Sequence, residues 1–481
     1  MNKTSTKKNF IFYYIYQLTI LLSTLVTIPY ISKVLGSEKV GIYSFTFSIA
    51  NFIYMFAQLG TYSYGVREIA LNKNDKSSLS KTFFEITLMK ICSTTIFLII
   101  YLVFISCQSN YTILFYTWIL FVLSAAFDIT WFYAGIEHFE EIFIINIIIR
   151  FIGILSTFIF VKSENDLIIY IIIHSLIYLL PFSLMWFSLY KYIDIKELHN
   201  LSIIKHYKQA LIYFIPTISA SLFMIIDKSM LGIIIEDKSE SGYYEMASQI
   251  IVFSKTLSAI VISHVIQPKA TSFYKSNNYS KIKDAISLSL EFATFICVCM
   301  IFGIFSIAHD FVPIFFSDKF LSVENILKLM SPLILITAIS YIYEYEYMIP
   351  ANKGKSINKI IIFSAVCNII LNLILIKNFK SIGAVIASII TELIILLSFY
   401  FESNAIIKLK SIIKISYKKL LSGFLMLLII YSLNNILHNY TNLNTLLILI
   451  IDIATGAMSY ILMLYILKDN IFNFAKDLSD L

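Results

Sequence analysis

Long apolar runs separated by short polar gaps dominate the chain. They predict membrane-spanning helices at roughly 10–31, 40–62, 83–106, 112–136, 142–161, 167–190 and 209–235. Further spans are expected at about 243–267, 285–309, 325–350, 360–376, 381–403, 420–437 and 444–467. Each run is close to the ~20 apolar residues a helix needs to cross a bilayer. No gap is long enough for a soluble domain. The predicted fold class is an all-α polytopic membrane protein with about fourteen transmembrane helices. The first span should end near Pro29, and 63–82 reads as a basic loop. The opening apolar run, preceded by Lys3, Lys7 and Lys8, is too long for a cleaved signal and is read as a retained span.

The gaps carry charge unevenly. With the N-terminus inside, the segments on that side hold 25 of the 37 Lys and Arg residues, and the opposite segments hold 7. Five lie within spans: Lys90, Arg150, Lys228, Lys255 and Lys328. This positive-inside bias places both termini in the cytoplasm and fits an even span count. The net charge of +7 therefore reflects topology and does not call for a nucleic-acid partner.

Polar residues inside the spans are the candidates for function, because charge in hydrocarbon is costly. The stretch FDITWFYAGIEHFEEIFIINIIIR, 127–150, ends one span, turns, and starts the next. It carries Asp128, then Asn146 and Arg150 four apart on one helix face, with Gly153 and Thr157 continuing the stripe. This pair is read as lining a polar cavity, with an Asp128–Arg150 ion pair as the plainer alternative. Ser44, Ser48, Asn51, Gln58 and Tyr62 form a second stripe, and Ser364, Asn368 and Asn372 a third. Such stripes suit sugar hydroxyls and equally well join helices to one another. Lys255 is too central to snorkel easily and is expected to face a cavity, whereas Lys90, nearer an inner end, should snorkel. Asp227 and Lys228 are adjacent, so their side chains diverge by ~100° and do not pair across one face. Trp118, Trp131 and Trp186 read as an interfacial aromatic belt.

Other chemistry is sparse. The five Cys residues have no metal-ligand spacing and read as packing residues. There is no P-loop, no HExxH and no catalytic carboxylate pair on a soluble loop, so no cofactor or metal is expected and the chain does not read as an enzyme. Only Arg67 and Arg150 are arginines, which singles out Arg150 as the one intramembrane group able to grip phosphate bidentately. An internal repeat is also visible. Leu35-Gly36 followed by VGIYSFTFSIANF resembles Leu231-Gly232 followed by SGYYEMASQIIVF, which makes spans 1–6 and 7–12 two copies in one orientation.

Several motifs together resemble the Wzx-type flippases, the polysaccharide branch of the MATE-like (multidrug/oligosaccharidyl-lipid/polysaccharide) exporter superfamily. They are FDITWFYAGIEHF (127–139), FIPTISASLFMIIDKSMLG (214–232), GYYEMASQI (242–250), Ile349-Pro350 to Gly354-Lys355, and Gly383-Ala384. Gln267-Pro268 departs from the pattern, which has an apolar residue before that Pro. The resemblance implies two six-helix lobes in a V, at 1–190 and 209–404, joined by a cytoplasmic linker at 191–208. Residues 405–481 would add a linker, two helices and a tail. It further implies alternating access and a substrate of undecaprenyl-pyrophosphate-linked oligosaccharide. Membrane lipid and the polymerase and chain-length regulator of the same pathway are the implied partners, and a bacterial cytoplasmic membrane is the implied location. On that reading Arg150, Lys255, Lys228 and Lys90 would offset pyrophosphate charge. Asn51, Gln58, Asn146, Asn368 and Asn372 would meet sugar. Asp128, Asp227, Glu344 and Glu392 are the candidates for ion coupling, with Glu291 and Glu346 as further buried acids. A MATE-type drug/cation antiporter on the same fold and a membrane polysaccharide polymerase stay open as alternatives. The short, Arg-poor outer loops weigh against the polymerase.

Overall fold

A backbone in hydrocarbon must satisfy its own hydrogen bonds, so the apolar runs become helices. The computed structural model describes residues 6–194, 201–261, 266–276, 278–404 and 406–474, and every regular element among them is helical. The first helices are α1 (Thr6–Gln58), α2 (Thr61–Asn72), α3 (Lys76–Ser106), α4 (Thr112–Thr117), α5 (Ile119–Phe127) and α6 (Thr130–Gly135). Next come α7 (Phe139–Phe160), α8 (Leu167–Met185), α9 (Ile204–Ile234), α10 (Ser239–Val261), α11 (Gln267–Lys275) and α12 (Tyr279–Phe315). The last are α13 (Val323–Met330), α14 (Pro332–Ile342), α15 (Gly354–Glu402), α16 (Leu409–Tyr440) and α17 (Thr445–Ile466). A π-helical turn, Tyr343–Met348, continues α14.

Among the described residues, ten helical stretches are long and apolar enough to cross a membrane. The helical path of α1 breaks at Gly36 and that of α15 at Lys380, so each supplies two crossings. With α9 and α10, 31 and 23 residues long, the count reaches the expected fourteen. Several boundaries differ from expectation. Pro29 does not end the first span; the helix continues to Gly36, whose φ of 74° is the left-handed geometry that glycine adopts without strain. The expected loop at 63–82 is mostly helical, formed by α2 and the start of α3. The expected single span 325–350 is broken into α13, α14 and the π turn, with Pro332 starting α14 where its missing N–H costs nothing.

The chain packs as two compact units, Met1–Gly242 and Tyr243–Leu481. In the first, the chain around Gly41 on α1 meets the segment between α9 and α10. A Cβ on Gly41 would lie 1.6 Å from the Lys238 carbonyl oxygen, and one on Gly242 would lie 2.3 Å from that of Ser37. Each glycine thus lets its backbone approach the other segment closely. Between α9 and α1, Ser229 Oγ donates to Ser48 Oγ at 2.9 Å. The bilayer inverts the usual polarity of helix faces. On α7, Ile144, Ile148, Phe151, Ile152 and Ile159 are exposed, while Asn146, Gly153 and Thr157 are buried. At the start of α9 a buried relay ties the chain down. Tyr64 Oη and His206 Nδ1 are 2.6 Å apart, and His206 Nε2 lies 2.9 Å from Glu85 Oε2. Glu85 also accepts from the Ser202 N–H at 2.8 Å and pairs with Lys205 at 2.7 Å.

In the second unit α12 packs against α14, α16 and α17. Lys419, expected in a basic linker, is fully buried there between Glu291 and Asp469, 3.1 Å from the latter. Glu291 is thus ion-paired. Ser364, Asn368 and Asn372 are all buried, and Asn372 Nδ2 donates to Asn368 Oδ1 at 3.1 Å.

Candidate functional site

The local geometry of the 127–150 stretch explains its composition. Between α5 and α6 the helix breaks at Asp128, whose backbone is extended (φ −69°, ψ 108°). A break at membrane depth frees carbonyls that hydrocarbon cannot satisfy, so side chains must do it. Trp186 Nε1 donates to the Phe127 carbonyl at 2.8 Å. Trp131 Nε1 donates to the Asp128 carbonyl at 3.1 Å, and Lys90 Nζ donates to the same oxygen at 2.7 Å. The Asp128 carboxylate restarts the chain as a helix. Its Oδ1 accepts from the Thr130 N–H at 3.0 Å and from Thr130 Oγ1 at 2.6 Å, an Asx-type turn. Its Oδ2 accepts from Gln58 Nε2 at 3.0 Å and pairs with Lys90 Nζ at 3.2 Å. Gln58 also donates to Tyr54 Oη at 2.7 Å, so the network reaches from α1 through α3 to the break. The ring of Trp131 fits because residue 65 is glycine, where a Cβ would sit 2.5 Å from the indole.

These observations correct three expectations. Lys90 does not snorkel: its side chain is 1% exposed and its charge is spent on Asp128. Trp118 and Trp131 are fully buried and do not form an interfacial belt; Trp118 Nε1 donates to Thr46 Oγ1 at 3.0 Å. No ion pair joins Arg150 to Asp128. Among the described residues Arg150 is half-buried and meets only Ser23 Oγ, at 3.3 Å, with no carboxylate.

The other predicted residues fall as follows. Asn146 is buried and donates to the Ile142 carbonyl of its own helix at 2.7 Å. Asn51 is half-buried on the α1 stripe. On α9 Asp227 is fully buried and Lys228 half-buried; on α10 Lys255 is half-buried. Glu344, in the π turn, and Glu392, on α15, are half-buried, and each lies within reach of the other's charge. Glu346 in the same π turn is fully buried: Ser289 Oγ donates to its Oε1, and its Oε2 has no partner. The partners Thr130, Trp131 and Trp186 were absent from the sequence-based site. Asp-x-Thr inside an apolar run is the signal that marks the helix restart.

A broken, charge-bearing helix within an all-helical polytopic chain is the construction used by secondary transporters. The chain belongs to the family described as Polysaccharide biosynthesis protein, whose model matches residues 6–274. It is 24% identical over 413 residues to a putative O-antigen transporter of Escherichia coli (strain K12), covering 82% of this chain and 95% of that one. It is 22% identical to a putative O-antigen transporter of Shigella dysenteriae, covering 81% and 98%. A probable low-salt glycan biosynthesis flippase, Agl15, of Haloferax volcanii is 24% identical over 36% of each chain. Among solved structures, the lipid II flippase MurJ in an inward closed conformation superimposes with a TM-score of 0.71 at 18% identity, covering 96% and 99%. An inward-facing multidrug resistance MATE family transporter of the MOP superfamily gives 0.62 at 14% identity, covering 82% and 99%. The fold is thus MATE-like, as the motifs imply.

Proposed function

We propose that the protein is a flippase that carries undecaprenyl-pyrophosphate-linked oligosaccharide repeat units, of O-antigen, capsule or exopolysaccharide, from the inner to the outer leaflet. The observation that carries this reading is the similarity to putative O-antigen transporters along nearly their whole length. The chain would work in a bacterial cytoplasmic membrane with both termini inside, by alternating access of two six-helix lobes at 1–190 and 209–404. The polymerase and chain-length regulator of the pathway are its proposed partners.

The site supports a division of labour. Arg150 meets no carboxylate among the described residues, so its guanidinium is available to a pyrophosphate in a way that Lys90 is not. Lys255 and Lys228 are the proposed supporting cations. Asn51 and Gln58 in one unit and Asn368 and Asn372 in the other offer donors and acceptors for sugar. Glu344 and Glu392 are the preferred coupling acids, because two carboxylates that feel each other's charge favour sharing a proton. Asp128 and Asp227 are the alternatives, with Asp128 already committed to Lys90.

The test is a knockout of the gene followed by extraction of undecaprenyl-linked oligosaccharide. Accumulation of complete units on the inner leaflet with loss of surface polymer is the expected result. Single units appearing outside would instead identify a polymerase. Normal polymer with increased drug sensitivity would identify an exporter. In the complemented strain Arg150→Ala is expected to lose polymer at unchanged expression and Arg150→Lys to recover part of it. Full polymer with Arg150→Ala removes Arg150 from the mechanism.

A further inference from the structure

Between α12, α16 and α17 lies a polar cluster that the proposed transport path does not use. Asn434 Nδ2 on α16 donates to Asp310 Oδ2 on α12 at 2.7 Å and to Asp452 Oδ2 on α17 at 2.8 Å. His438, one turn beyond Asn434, places Nε2 3.0 Å from Asp310 Oδ2. Asp452 is 0% exposed, and its Oδ1 is buried with no hydrogen-bond partner among the described residues. The remaining charged groups near the cluster face elsewhere: His309 turns to Glu324 at 3.2 Å, and Lys328 pairs with Glu324 at 2.6 Å.

The charge balance is uneven. Two carboxylates converge on one neutral amide, and one imidazole, with its side chain 38% exposed, is the sole cationic candidate beside them. A buried carboxylate oxygen without a donor is costly, and two ionised carboxylates on one amide repel. One positive charge is needed to balance the site. The amide presents its NH2 group, a donor, to both acids, and an NH2 group does not ligate a metal ion. Among the described residues no group of three or more His, Cys, Asp or Glu is arranged to hold a metal.

We propose that Asp310 and Asp452, bridged by Asn434, form a proton-binding site that holds one proton on Asp452, with His438 as its water-facing member. Proton binding neutralises the buried acid and lets α17 seat against α12 and α16; proton loss leaves an ionised carboxyl in the helix interface. The site belongs to the helices that follow the two proposed six-helix lobes, and it stands independently of the flippase reading.

Infrared spectroscopy of the purified full-length protein in lipid nanodiscs tests it. Wild-type protein should show a protonated-carboxyl carbonyl band at neutral pH that shifts in heavy water. Asp452→Asn should lose that band while the protein still elutes as a single species. Glu346→Gln, which alters another buried acid with an unpartnered oxygen, should leave the Asp452 band in place. His438→Gln should move the disappearance of the band to higher pH, because the imidazole donor favours the ionised acids; a purely structural histidine would not shift a titration. If Asp452→Asn fails to fold, Asp310→Asn serves instead and should move the disappearance of the band to lower pH, since it removes the negative charge that opposes ionisation of Asp452. An unchanged band in Asp452→Asn between about pH 5 and about pH 9 overturns the proposal. So does a rise in melting temperature with sodium, at constant ionic strength, that Asp452→Asn abolishes, since the site's ligand would then be a metal ion.

Discussion

Lys90→Met is the most direct test of how the broken helix is held. The substitution keeps the stem length and removes the ammonium group. Asp128 then retains Thr130 and Gln58 as donors but loses its only countercharge, in a site that is almost closed to solvent. Breaking a buried pair from one side costs about 3–5 kcal/mol, because the remaining charge stays desolvated. The Asp128 carbonyl keeps Trp131 Nε1, so the backbone break is only partly exposed. Asp128→Asn is the milder change: Lys90 keeps the carbonyl at 2.7 Å and can shed its proton. The double variant, Lys90→Met with Asp128→Asn, restores neutrality and should lie within about 1–2 kcal/mol of wild type. The coupling between the two positions should therefore reach about 2–3 kcal/mol. Thermal unfolding in detergent, read by size exclusion, gives the four corners of the cycle. Additive single effects, or a Lys90→Met protein as stable as wild type, would refute the structural role. Surface polymer in the same four strains separates stability from transport. Stability regained without polymer would return Lys90 to the substrate path.

Three further perturbations follow from the packing. Gly41→Ala puts a methyl group 1.6 Å from the Lys238 backbone oxygen and should destabilise by at least about 1–3 kcal/mol, whereas Gly354→Ala, with open space at its Cβ, should change melting little. Lys419→Met strands Glu291 and Asp469 and should cost ~3 kcal/mol or more, measured by detergent melting; unchanged melting would mean the pair is already solvated. His206→Ala cuts the relay from Tyr64 to Glu85, so tryptic cleavage at Lys205 and Lys208 should accelerate without loss of the rest of the fold; equal cleavage rates would show that the relay does not hold the start of α9.

The membrane architecture was legible because hydropathy and span length are one-dimensional signals. Helical spacing also put Ser364, Asn368 and Asn372 on one face, read as lining a cavity, and the structure buries that face. Partner choice did not. Asp128 and Arg150 are close in sequence, yet Asp128 pairs with Lys90, 38 residues earlier, since a helix break turns the carboxylate toward α3. Lys419 sits among five lysines that read as a solvated run, and composition does not distinguish the one whose helix face meets Glu291. Trp131 and Trp186 looked like belt residues because the carbonyls they satisfy become free only once α5 ends at Phe127.

The intramembrane charges thus fall into two groups with different consequences. Lys90 and Lys419 are buried against carboxylates, and the geometry of each fixes a helix position: the α5–α6 break in one unit, the seating of α16 on α12 in the other. A cation so engaged contributes little attraction to an incoming anion unless the pair opens, which costs several kcal/mol by the same desolvation argument. Arg150 belongs to the second group. Its only hydrogen bond among the described residues is a long one to a serine hydroxyl, so engaging a phosphate there requires exchange of that bond and not the rupture of an ion pair. That difference in cost, more than the presence of positive charge, is why the substrate role is proposed for Arg150 and a bracing role for Lys90.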